Sequence, residues 1–490
     1  MVDMTDDERE SDPEQRSRFE PPSEADFEAA KIEVTPPGAR RRRRLQIAIL
    51  LTLIAAILVF AAVGGRIPRI LPGKAAEPLA PLRIAVVDAN GALSVVDADG
   101  RNAISYDGGG VVSLRFPAWS PDRTQIAAIR QDPRGGAIDV YGVRSTSGQE
   151  SSPPAVVYQS ADRPPFYFYW SPDSANVSFL TTEPAGIALR VGPRDASSEA
   201  RVLREGAPFY WDWVDPGGVL AHVGGSGQDG FLGELRLDGG TSAVPGLGAA
   251  GAFRAPTASH DGLFRAYVIR GSTTPGTLVV EGRDGSTRKE IPVFGAAAVS
   301  FDPAGRSIAF VAPDNLVSQP PDLPFGPLRV VDEGSDEVRT LIGDSVIAFF
   351  WAPDGRTIAA LRLDSSGGDT VGMVPSRGAG GPVVAAAQQR PKSDGPVPQA
   401  EGVSVVLTFI DVASGSTRGE RSVRLSTLFV SQLLPYFDQY ALSHRFWAAD
   451  SSLLALPLVG DDGVTRVVAI PPDGSASHPI AAAEVGFWSP

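Results

Sequence analysis

The sequence predicts an all-β chain folded as a β-propeller, and three observations carry that expectation. One pattern recurs along the chain: an aromatic residue, Pro-Asp-Gly or a near relative, then a short apolar run, as in the segments from Trp119 and Trp351. Its copies begin at Trp119, Trp170, Trp213, Ala258, Phe301, Trp351, Trp447 and Trp488, at intervals of 51, 43, 45, 43, 50, 96 and 41 residues. A period of roughly 40 to 50 residues that opens on turn residues and runs into strand material marks propeller blades rather than helical solenoids. The 53 Gly and 43 Pro suit a turn-dense β protein.

Each element of the copy has a physical reason. Pro presets φ, Asp bonds to nearby backbone and Gly tolerates positive φ, so Pro-Asp-Gly makes a tight turn. The runs that follow, such as Ile126 to Ile129, Ile308 to Val311 and Ile358 to Leu361, are too short for helices and are bounded by turn signals. Their small alanines suit a crowded position near the ring axis. A further strand often follows and ends in Asp, as at Ile138–Asp139, Leu235–Asp238, Leu328–Asp332 and Phe409–Asp411.

The whole unit, aromatic, turn, apolar run, then a strand ending in Asp, resembles the TolB-type (WD-repeat-like) propeller repeat. The resemblance spans about residues 82 to 490, is strongest at Trp119, Trp170 and Trp351, and is weak at Trp213 and Ala258. It implies a fold and no activity, because this repeat serves many unrelated proteins.

The last copy stops at Trp488-Ser489-Pro490, before a strand can follow. Arg83 to Val87, at the other end, is strand material with no aromatic turn before it. Joining the two ends in one blade would close the ring and remove an unpaired edge. With that composite the count is eight blades; seven result if the Trp213 or Ala258 copy is not a blade.

Leu45 to Val63 is 19 residues without a charge, about the length that crosses a roughly 30 Å hydrocarbon core. Arg40 to Arg44 precede it, against Arg66, Arg69 and Lys74 beyond it. The positive-inside rule then predicts a single-pass anchor spanning 40–63 with its basic flank, a cytoplasmic N-terminus and an extracytoplasmic propeller. A cleaved signal peptide with small residues at Ala61 and Ala62 is the rival, but 44 residues before the apolar run are atypical of one. Residues 1–39, with 12 acidic and 4 basic side chains, read as a disordered tail. Residues 64–81, with Pro68, Pro72, Pro78 and Pro81, read as a short stiff spacer.

The interval from Trp351 to Trp447 is about twice the period, so the propeller of 82–490 carries an insertion at about 364–444. Its first part, Asp364 to Gly402, is rich in Gly, Ser, Pro and Ala and reads as a loop. From Leu425 to Ala441 apolar residues recur at three and four, a helix that Pro435 should kink. Two roles fit. The helix packs on its own blade and the channel mouth, or it presents Leu433, Leu434, Tyr436 and Phe437 as a partner surface.

No catalytic, cofactor or metal site is expected. The chain has no Cys, hence no disulfide, thiolate nucleophile or Cys-ligated metal. Its four histidines, His222, His260, His444 and His478, never stand at metal-ligand spacing. There is no Gly-x-Ser-x-Gly elbow. Asp88 to Gly91 and Asp97 to Gly100 resemble calcium loops but lack the downstream acidic ligand. Carboxylates from different blades meeting at the channel would escape a reading by spacing.

The net charge is -13, of which the propeller holds about -12, a balance that disfavours nucleic acid. The expected function is a membrane-anchored interaction or scaffolding module of the cell envelope, not an enzyme. The alternative is a channel-mouth enzyme or binding protein acting on a glycan or peptide.

Overall fold

In the computed structural model, the repeated turn forms as its residue types dictate. The structure describes residues 82–490 apart from 107, 145–151, 185, 225–229, 244–254, 270–275, 295–296, 315–323, 333 and 364–401. The tail, arginine cluster, apolar span, spacer and most of the predicted loop thus lie outside the described residues. Among the described residues no helix is long and apolar enough to cross a membrane.

Asp122 Oδ1 accepts from the Thr124 amide at 3.0 Å and from Ser120 Oγ at 2.6 Å. The same arrangement recurs at Asp173 with Ala175 and Ser171, and at Asp261 with Leu263 and Ser259. The turn then needs a left-handed residue. Gly305 and Gly355 supply φ of +69° and +66°, and where Gly is missing Arg123, Ser174 and Ser451 adopt +63°.

These turns link strands into antiparallel meanders. Five sheets have four strands each, and a sixth has ten. The second sheet runs Ser113–Trp119, Gln125–Asp132, Gly135–Gly142, Ala155–Ser160, and three later sheets repeat that order. The ten-stranded sheet is continuous because Val338–Trp351 serves two meanders. Val338 to Val346 pairs with Gly326–Asp332 and Val346 to Trp351 with Thr357–Leu363, so Val346 is shared by both ladders. A single pair, Leu425 with Leu458, then joins Thr417–Leu425 to Leu454–Val459.

The remaining sheet is built from both ends of the propeller sequence. Arg83–Val87 pairs with Leu93–Asp97 on one side and with Val485–Trp488 on the other, in register Ile84 to Trp488 and Val87 to Val485. The shared strand that the sequence predicts is present.

One expectation needs correction. In the four-stranded sheets the run after the turn is the second strand from the axis; the strand nearest the axis precedes the turn and in most copies carries the repeated aromatic at or near its end. Burial explains this. Ile126, Ala127, Ala128 and Ile129 are core between neighbouring sheets, so their small size answers to sheet-on-sheet packing rather than to the axis.

Candidate functional site: the filled channel

The axis of a propeller is where ligands commonly sit, and here the chain's own insertion fills it. After Leu425 the backbone makes a wide helical turn at Phe429–Leu433, a tight one at Leu434–Tyr436, and an α-helix at Phe437–Ser443. Pro435 falls in the tight turn, where its missing N–H interrupts the helix as expected.

Leu433, Leu434, Tyr436 and Phe437 are 1, 3, 5 and 2% exposed. The partner-surface expectation for these four is therefore overturned. Their apolar face meets the innermost strands: Phe437 lies 5.6 Å from the Phe349 ring and 6.0 Å from that of Phe350, and Tyr436 lies 6.5 Å from Tyr210. Tyr440 packs edge-on against Tyr167 at 5.2 Å and touches Phe116 at 5.7 Å. One short helix thus contacts several sheets.

Polar groups fix its depth and rotation. Gln439 Nε2 donates to the Trp211 carbonyl at 2.7 Å while its Oε1 accepts from the Trp211 amide at 3.2 Å, so the side chain acts as an extra strand partner for Phe209–Asp215. The Tyr167 hydroxyl lies 2.8 Å from the Gln439 carbonyl and 2.7 Å from Ser443 Oγ. Ser443 Oγ lies 2.6 Å from His444 Nδ1, and His444 Nε2 lies 3.2 Å from the Phe116 carbonyl. Burial pulls His444 down to about 4, so the ring is neutral near pH 7. A carbonyl can only accept, so Nε2 carries the proton and Nδ1 accepts from Ser443.

Beside the insertion lies one buried acid that the sequence reading did not single out. Burial pushes Asp212 up to about 6 against four hydrogen bonds that hold it down, one of them from the Trp213 backbone. The Ala258 amide donates at 2.8 Å, the Thr257 hydroxyl at 3.2 Å and the Tyr169 hydroxyl at 3.1 Å. Its carboxylate ties together three neighbouring sheets. A signal was present in the sequence, since Asp212 is the one acid inside the run Phe209 to Val214. His444 and Asp212 bond to different partners. Among the described residues no group of three or more His, Asp or Glu could hold a metal ion.

The antiparallel meanders are those of a β-propeller whose innermost strands close on the chain's own side chains. No family model and no curated protein matches the sequence. Solved structures do. TolB from Acinetobacter baumannii is 20% identical over 53% of this chain and 65% of its own, with a TM-score of 0.32. Apo AztD from Citrobacter koseri is 12% identical over 83% of this chain and 96% of its own, at 0.45. A prolyl endopeptidase matches at 12% identity over 77% of this chain and 49% of its own, at 0.47. At this level of similarity the matches assign no activity, and the fold rests on the strand pairing itself.

Proposed function

We propose that the chain is an eight-bladed, closed propeller held outside the cytoplasm by the helix of 40–63, acting as a non-enzymatic interaction or scaffolding module of the cell envelope. The count of eight takes the five four-stranded sheets as one blade each and divides the ten-stranded sheet into three, at Val338–Trp351 and at the Leu425–Leu458 pair. Pairing of Arg83–Val87 with Val485–Trp488 supports closure. The Arg40 to Arg44 cluster before the apolar span supports the membrane orientation.

The observation that carries the functional reading is the filled axis. Tyr440 and Phe437 occupy the position a channel ligand would take, which leaves the rims and outer blade faces to meet other molecules. A propeller surface of net negative charge suits protein partners rather than nucleic acid. The alternative, a channel-mouth enzyme acting on a glycan or peptide, has Asp212 in its favour, because a carboxyl raised to about 6 is poised for acid-base work. Against it, both Asp212 oxygens already accept hydrogen bonds.

Crosslinking in intact membranes followed by mass spectrometry tests the proposal. A small, reproducible set of envelope proteins linked to propeller residues is the expected result. Turnover of a glycan or peptide by the purified chain, abolished by Asp212→Asn, would overturn it in favour of the enzyme.

A further inference from the structure

The repeated Trp has a second use beyond marking the turn. Trp119, Trp170, Trp351 and Trp447 each donate their indole N–H to a carbonyl of the preceding blade: Phe487, Ala118, Ser300 and Phe350, at 3.1, 3.0, 3.3 and 3.2 Å. Each acceptor sits one residue before that blade's own repeated position. The indole is therefore the wedge that fills the seam between neighbours.

At two consecutive copies the wedge is missing, replaced by Ala258 and Phe301. The seam between the blades of Ala258 and Phe301 contains a pocket of about 260 Å³. Phe264, Val280, Phe301, Ile308 and Val331 give it apolar walls. By the geometry of the four intact copies, a Trp at 301 would reach across this seam toward the Thr257 carbonyl; Phe301, which stands in its place, lines the pocket.

Charge at the rim is selective. Arg288 is held by Glu281 at 3.0 Å and Glu290 at 2.7 Å. Lys289 bonds to the Asp332 carbonyl at 3.1 Å and to that of Ser335, and lies 3.9 Å from the carboxylate of Asp336, which also lines the pocket. Asp332 accepts from Ser307 Oγ at 2.7 Å. Arg306, exposed at the same rim, has no carboxylate partner among the described residues. An apolar cavity of about 150 Å³ already accepts a benzene ring, so the larger seam has room for a fused ring and a substituent.

We propose that this seam binds a small aromatic carboxylate, its ring in the apolar space beside Phe301 and its carboxylate on Arg306. This site is separate from the filled channel and does not depend on the chain being a scaffold.

The test uses the full chain in detergent, titrated calorimetrically with indoleacetate, with neutral indole, and with a short peptide ending in Trp. Binding of indoleacetate more tightly than indole is the expected result. Phe301→Trp, which restores the repeat and fills the seam, should abolish binding of both while unfolding no earlier than the parent. Arg306→Gln, at an exposed residue with no carboxylate partner, should weaken indoleacetate about tenfold, the scale of one charge-assisted hydrogen bond, and leave indole unchanged. Tighter binding of the peptide would replace the free acid by a chain terminus as the ligand. Indoleacetate that fails to bind the parent, that binds Phe301→Trp unchanged, or that ignores Arg306→Gln would overturn the proposal.

Discussion

The Trp119 indole donates to the Phe487 carbonyl at 3.1 Å across 368 residues of sequence. Phe487 lies in the strand that pairs with Arg83–Val87, so this bond ties the first full repeat to a sheet made from both ends. Among the copies that carry a Trp, Trp213 and Trp488 make no such bond. The acceptor for Trp488 would be the Phe446 carbonyl, which already takes the Ala455 amide at 2.8 Å. That for Trp213 would be the Tyr169 carbonyl, taken by Ser178 Oγ at 2.8 Å. Both indole N–H groups are buried without a partner among the described residues.

Deleting 485–490 should destabilise the whole propeller, because it removes the strand Val485–Trp488, the Trp119 acceptor and the cover on Arg83–Val87 together. Trp119→Phe, which deletes only the N–H donor and part of the ring, should cost about 1 kcal/mol for the hydrogen bond plus a packing term. Urea unfolding measures both. A deletion that leaves the midpoint unchanged would show that the ends do not share a sheet in solution.

Much of this was legible because its chemistry is local. The turn copies are visible along the chain since Asp, Pro and Gly each answer to backbone conformation within a few residues. The sheet made from both ends was legible as a strand without a turn at one end and a turn without a strand at the other. Which strand lies nearest the axis was not. Register shifts between Arg115 and Ala118, Pro165 and Tyr167, and Val346 and Ala348 break the alternation that would show a channel face. Nor was the insertion's role, because apolar residues at three and four look the same whether the chain covers them or a partner does.

Phe437→Ala and Tyr440→Ala should each cost about 3 to 5 kcal/mol, the usual scale for emptying a buried aromatic site. Gln439→Ala should cost about 1 to 3 kcal/mol for each Trp211 backbone group left buried without its bond. Equilibrium denaturation of the three variants reads this directly. Losses within about 0.5 kcal/mol, typical of surface changes, would mean that the insertion leaves the axis in solution.

The proposed orientation predicts where a protease can reach. With the outer wall of the cells made permeable, added protease should cut within the propeller or the 364–402 segment and spare an epitope placed in residues 1–39. The argument is the five arginines of 40 to 44 on one side of the apolar span. A protected propeller beside a cleaved tail would reverse the orientation.

The two buried titrating groups predict opposing pH effects. Asp212 binds its proton more tightly when folded, about 6 against an ordinary 3.8, so its contribution is fully present below about 3.8 and is lost as pH rises through 6. His444 resists its proton when folded, about 4 against 6.5; its contribution is fully present above 6.5 and is lost as pH falls through 4. Each shift corresponds to about 3 kcal/mol at most, and the two nearly cancel between about pH 4 and 6.5. Asp212→Asn should therefore make the propeller lose stability on acidification across that window, and His444→Gln should make it gain. Subtracting the parent's profile of unfolding free energy against pH removes the other carboxylates. Difference profiles that are flat for both variants would show that neither group carries its shift in the folded protein.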